Sequence, residues 1–117
     1  MLINLTPHDI RIRTCSSTVA EPDPSDLVLS STGSARVGTR STAMEPRDGV
    51  PVIRTEYTAV EGLPEPAEGT TYIVSLLVCQ ALPMRRDLVG PATGPSDGTI
   101  RDAQGRIYAV RALQFWA

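Results

Sequence analysis

Ten prolines and nine glycines are spread from one end of this 117-residue chain to the other, and their spacing sets the tightest limit on its fold. Proline fixes φ and lacks a backbone N–H, and glycine weakens helix interiors, so a chain interrupted this often holds short segments and no long helix. The length is that of one compact domain, 1–117, and suffices to bury a core without disulfide staples. Hydrophobic residues make up 41% of the chain but aromatic ones only 4%, so the core has to be built of Val, Leu, Ile and Ala.

Met1 to Leu5 predicts a short strand stopped by Pro7. In Asp9 to Thr14 (DIRIRT), Ile10 and Ile12 alternate with Arg11 and Arg13, the two-residue period of a half-buried strand. The segment CSSTVAEPDPSD carries Pro22 and Pro24 and is expected to be an exposed loop or a spacer before Leu27-Val28-Leu29. A turn at Ser30 to Ser34 precedes the extended Ala35-Arg36-Val37. Asp48-Gly49 is a favoured two-residue hairpin turn, and VPVIRTEYTAV beyond it is strand-forming. Pro51 places the near end of that strand at an edge or outside the pairing. Thr70 to Ala81 is the most apolar segment and is expected at the centre of the core. From Leu76 onward its pattern fits a continued strand and a single helical turn equally. Leu82 to Asp97 holds three Pro and two Gly and reads as a long irregular loop. Asp102-Ala103-Gln104-Gly105 is a turn joining two extended arms. Together these predict a mostly-β fold: a small single-domain barrel or barrel-like sandwich of about seven or eight short strands with long Pro/Gly-rich loops.

The formal net charge of −2 carries no footprint for duplex nucleic acid, which needs a concentrated basic face. All 11 basic residues are Arg, as codon bias in a GC-rich genome produces, so only the positions of particular arginines are informative. Cys15 and Cys79 show no metal-ligand spacing. Cys79 reads as a small buried hydrophobe, and no disulfide is expected. No basic leader with a long apolar region opens the chain, and Tyr72 to Leu82 falls short of the roughly 20 residues that span a bilayer. The expectation is a cytoplasmic protein with no membrane partner. There is no Gly-rich phosphate loop and no GxSxG elbow, and one His cannot build a multi-histidine metal site. Glu45, Glu56, Glu61, Glu65 and Glu68 lie in turn-rich, solvent-suited stretches. No catalytic residue, metal or cofactor is assigned, which weighs against an enzyme.

Three polar blocks remain. In Asn4-Leu5-Thr6-Pro7-His8-Asp9, Asn4 and Thr6 suit a turn, while His8, the only histidine, also suits a hydrogen bond or a planar stack with a ligand. Arg85-Arg86-Asp87 reads either as a surface ion pair or as Arg86 aimed at an anionic group and oriented by Asp87. Arg101-Asp102 fits a hairpin turn and, alternatively, the same anion patch.

These blocks, with Gly62-Leu63-Pro64, Tyr72-Ile73-Val74-Ser75, Arg86-Asp87-Leu88 followed by Pro91, and Gly105-Arg106-Ile107, resemble a group of small phage and prophage proteins that begin with a strand and an Asn-Leu-Thr-Pro-His motif. The correspondence runs in order over most of the chain but lapses between Cys15 and Arg40, and either Arg85 or Arg86 fills the motif's Arg position. Such small phage proteins often act by binding. The resemblance therefore implies a non-catalytic accessory protein in the host cytoplasm that binds a small anionic, nucleotide-like ligand and sequesters a host immune signal. Thr6, His8, Ser75, Arg86, Asp87, Arg101 and Asp102 would line its site. A protein-interaction module, such as a host-factor inhibitor or minor virion component, is the alternative. Leu113-Gln114-Phe115-Trp116 would then serve as an apolar patch or homo-oligomer contact, or else as a final capping strand. A small hydrolase using His8 with a carboxylate such as Asp87 is the third reading.

Overall fold

The parallel pairing of three short strands around one apolar segment organises the molecule. The computed structural model describes residues 1–116. Strand β1 (Leu2–Asn4) runs parallel to β6 (Thr71–Ile73), with Leu2 opposite Thr71 and Asn4 opposite Ile73. Parallel neighbours need a long crossover. The one after β6 runs from Val74 to Asp87 and contains the six-residue helix α1 (Leu76–Ala81) before β7 (Leu88–Pro91). Of the two readings of the segment after Leu76, the helical turn is the one formed. Ser75 caps it, its hydroxyl accepting from the Val78 N–H at 3.4 Å. Antiparallel β10 (Leu113–Phe115) completes a four-stranded sheet in the order β1-β6-β7-β10.

Alternation along these strands feeds two cores. Tyr72, Val74 and Leu88 face α1, where they meet Val78 and Cys79. Ile73 and Val89 face the other way, onto Ile10 and Val110. The second face is covered by the ribbon of β2 (Ile10–Ile12) and β3 (Leu27–Leu29), and by β9 (Ile107–Ala109), which pairs with β8 (Ile100–Arg101). The third ribbon, β4 (Arg36–Ala43) with β5 (Ile53–Glu61), has its base at Val37 and Val60 on the α1 side of the sheet. The rest of this ribbon projects as an arm. The radius of gyration is accordingly 17.0 Å, against about 13 Å for a compact chain of this length. Asp48 and Gly49 at its tip both have positive φ (50° and 77°), the geometry of a hairpin turn that matches strand twist. Gly62 ends the arm at φ 79°, and a Cβ there would lie 2.5 Å from the Ser34 carbonyl oxygen, so only glycine fits.

The fold is mostly β and a single small domain, but no closed barrel forms among the described residues. Strands that pair in parallel through a crossover build an open sheet with covers on both faces. Leu82 to Asp97 is not one irregular loop either. It contains β7, whose Leu88 and Val89 are each 3% exposed, because a central slot between β6 and β10 overrides the local breaking tendency of Gly90-Pro91.

Arg13 departs furthest from the expected strand pattern. Its side chain is fully buried and donates to both carboxylate oxygens of Asp26 (2.7 and 3.1 Å) and to the carbonyls of Val19 and Glu21 (both 2.6 Å). Arg111 donates to the carbonyls of Cys15 and Ser17. Residues 15–26 thus wrap the guanidinium groups of Arg13 and Arg111. Both cysteines are free, and burial pushes the Cys79 thiol pKa up. No helix among the described residues is long and apolar enough to cross a membrane.

Candidate functional site

The Asn-Leu-Thr-Pro-His stretch is explained first by its asparagine. Asn4, 2% exposed, donates from Nδ2 to the carbonyls of His8 (2.9 Å) and Leu29 (2.8 Å). Its Oδ1 accepts from the backbone N–H of Thr6 (3.0 Å) and the Thr6 hydroxyl (2.7 Å). One buried amide therefore closes the turn after β1 and ties it to β3. The Ser31 hydroxyl adds a bond to the Thr6 carbonyl, and the Asp9 carboxylate accepts from the Ser31 N–H. With the backbone fixed in this way, the His8 ring is left exposed and makes no hydrogen bond among the described residues.

That ring borders a cleft of about 390 Å³. The cleft lies beyond the carboxyl ends of the three parallel strands: Thr6 and His8 follow β1, Val74 and Ser75 follow β6, and Pro91 and Thr93 close β7. Open sheets with parallel strands bind ligands at this place, because the loops there leave a crevice. Ile10 and Arg11 of β2 and Ile107 and Ala109 of β9 supply the remaining wall, which is mostly apolar. A second cleft of about 350 Å³ shares Pro91 and Thr93 and extends toward Gln114 and Trp116.

Of the residues selected from sequence, Thr6, His8 and Ser75 meet in the first cleft. Arg86, Asp87, Arg101 and Asp102 are not among its lining residues. Asp87 does not orient Arg86: it is gripped by both arms of the Arg85 guanidinium, Nε and Nη2 each at 2.7 Å. The chain bends at Arg86 and Asp87, and it is Arg85 rather than Arg86 that reaches the carboxylate. Arg85 also bonds the Pro64 carbonyl, and its grip lowers the Asp87 pKa. Arg101 bonds the Gly105 carbonyl, while Asp102 accepts from the N–H groups of Gln104 and Arg106. This block is the turn between β8 and β9. Nor do His8 and Asp87 form the pair that a hydrolase of that design needs. Replacing Arg85 by Ala should cost about 1 kcal/mol, since the forked pair is only partly exposed. Arg86→Ala should change stability by less than about 0.5 kcal/mol. Urea denaturation of the two variants checks this.

Sequence reasoning missed Arg11, the one arginine lining the cleft. It donates to Asp26 at 2.9 Å and lies over the Tyr108 ring, 5.2 Å from its centroid. The only signal was its position in DIRIRT, where alternation assigned it to solvent. Among the described residues no cluster of three or more His, Cys, Asp or Glu is placed to hold a metal ion. No protein-family model, curated protein or solved structure matches the chain.

Proposed function

We propose that the protein is a non-catalytic binding protein whose cleft takes a small ligand with a flat apolar ring and one anionic group. A nucleotide is the class that combines the two. The observation that carries this reading is the composition of one crevice: Ile10 and the half-exposed Ile107 among its apolar lining, with the unengaged imidazole of His8 and Arg11 on its border. A ring between His8 and the apolar wall gains stacking and burial, while the anion lies toward Arg11. Because the Arg11 guanidinium is already bonded to Asp26 and lies over Tyr108, the ring supplies more of the affinity than the phosphate does. The resemblance to phage and prophage proteins gives such binding a use, the sequestration of a nucleotide signal of host immunity.

Calorimetry with mononucleotides, cyclic nucleotides and ADP-ribose-type nucleotides tests the reading. At least one should bind, and His8→Ala should weaken it on the order of tenfold or more. Ile107→Glu, a change at a half-exposed position, should abolish binding, while Arg86→Ala and Arg101→Ala leave it unchanged. No binding at ~1 mM ligand, or sensitivity to Arg86 in place of His8, would sink the idea. The alternative, a protein-interaction module, draws on Phe115 in the edge strand β10 and on Trp116 after it, which are 59% and 49% exposed. Affinity capture that loses its partner on Phe115→Ser would favour it.

A further inference from the structure

The β4–β5 arm presents one open strand edge whose side-chain order is complementary to itself. Val50 exchanges both backbone bonds with Arg47, and the Val52 carbonyl accepts from Met44. Backbone groups alternate in direction along an antiparallel strand. Those of Arg54 and Glu56 therefore point at β4, and those of Ile53, Thr55 and Tyr57 point away from it. No described segment pairs with that outer side, since β4 and β5 form a sheet of two strands. The side chains there are apolar enough to matter: Ile53 is 62% and Tyr57 46% exposed. Two-stranded ribbons without a packing layer are marginal in water, and open flat edges recruit further strands.

We infer that this edge binds the same edge of a second copy of the chain, giving a four-stranded sheet in the order β4-β5-β5-β4. The occupant follows from charge. When β5 is paired antiparallel with itself about a two-fold axis at Thr55, Thr55 lies opposite its counterpart. Arg54 then lies opposite Glu56 of the second copy, twice, and Ile53 opposite Tyr57, also twice. Directly opposite residues share a face, so all four pairs are in side-chain contact range. Within each arm Glu56 already pairs with Arg40 at 3.2 Å, so every Glu56 in the assembly is flanked by two arginines. Strand β4 offers no such register, because its only charged residues are Arg36 and Arg40. The paired edge is short, so the contact is weak and dimerisation depends on concentration.

Sedimentation velocity over a series up to ~1 mM reads the association. The wild-type chain is expected to shift from monomer to dimer. Arg54→Glu sets a second carboxylate against Glu56 of the other copy, and Glu56→Arg sets arginine against arginine. Each variant alone should weaken dimerisation on the order of tenfold or more. An equimolar mixture of the two should recover dimers, because every cross-copy pair is again opposite in sign. Recovery on mixing also shows that neither variant is simply unfolded. A wild-type chain that stays monomeric throughout, a variant that dimerises as well as the wild type, or a mixture that stays monomeric would each overturn the inference.

Discussion

Asn4→Ala is expected to cost about 3 kcal/mol of stability. The truncation strips the Thr6 N–H of its side-chain acceptor and the Leu29 carbonyl of one of its donors. The His8 carbonyl is less affected, because the Thr6 hydroxyl at 2.9 Å can still serve it. The loss also reaches the cleft, since Asn4 holds the backbone on which Thr6 and His8 are carried. Ligand binding, measured well below the variant's melting temperature, should therefore fall even where the protein is fully folded. Asn4→Asp keeps the shape but turns an acceptor toward two carbonyl oxygens, so at neutral pH it should be at least as damaging. Chemical denaturation decides this: a wild-type midpoint for Asn4→Ala would show that the amide does not hold the turn.

How the cleft could be read from sequence differs from one residue to the next. Thr6 and His8 were legible because a turn accounts for Asn, Thr and Pro but leaves the imidazole over. Ser75 enters the predicted site only through the resemblance, and the helical half of its apolar run, which makes Ser75 an N-cap, is not decided by periodicity. Arg86 and Arg101 enter the predicted site through their places in a loop and a turn and through the resemblance. The bend that lets Arg85 take Asp87, and the turn that employs Asp102, are local geometries that residue order does not display.

The same distinction separates the legible part of the fold from the rest. Asp48-Gly49 and the Asp102 to Gly105 turn are fixed by residues a few positions apart, and both hairpins form where the sequence places them. Strand β7 ends in Gly-Pro and carries the local marks of a turn. Only β6 and β10, distant in sequence, make it a strand and turn an expected barrel into an open, covered sheet. Gly90 suits that slot, since a Cβ there would lie 3.3 Å from the Val74 carbonyl oxygen.

Arg13 is where alternation misled most, and its replacement should have the largest effect of any single change. Arg13→Met keeps the length and apolar stem of the side chain. It leaves the Asp26 carboxylate, 1% exposed, and the Val19 and Glu21 carbonyls without the guanidinium that satisfies them. Arg11 and the Asp23 N–H still reach Asp26, but its closest donor is lost from a buried site, so the urea midpoint is expected to fall further than for any other single change above. The same pair sets an acid limit. Bonding to Arg13 holds the Asp26 carboxyl well below the usual carboxylate range and raises the Arg13 pKa. A depressed folded-state value means that the unfolded chain takes up the proton first. The pair's contribution is therefore complete above about pH 5 and declines as pH falls through about 4 and lower. Asp26→Asn should be less stable than the wild type at pH 7 but lose less on acidification, leaving the slope due to Asp23 and Asp87, whose pKa values are also lowered. Denaturation midpoints at neutral pH and at about pH 3 measure the difference. Equal acid slopes for the two proteins would show that loop 15–26 is held by its carbonyl contacts and not by the charge of Asp26.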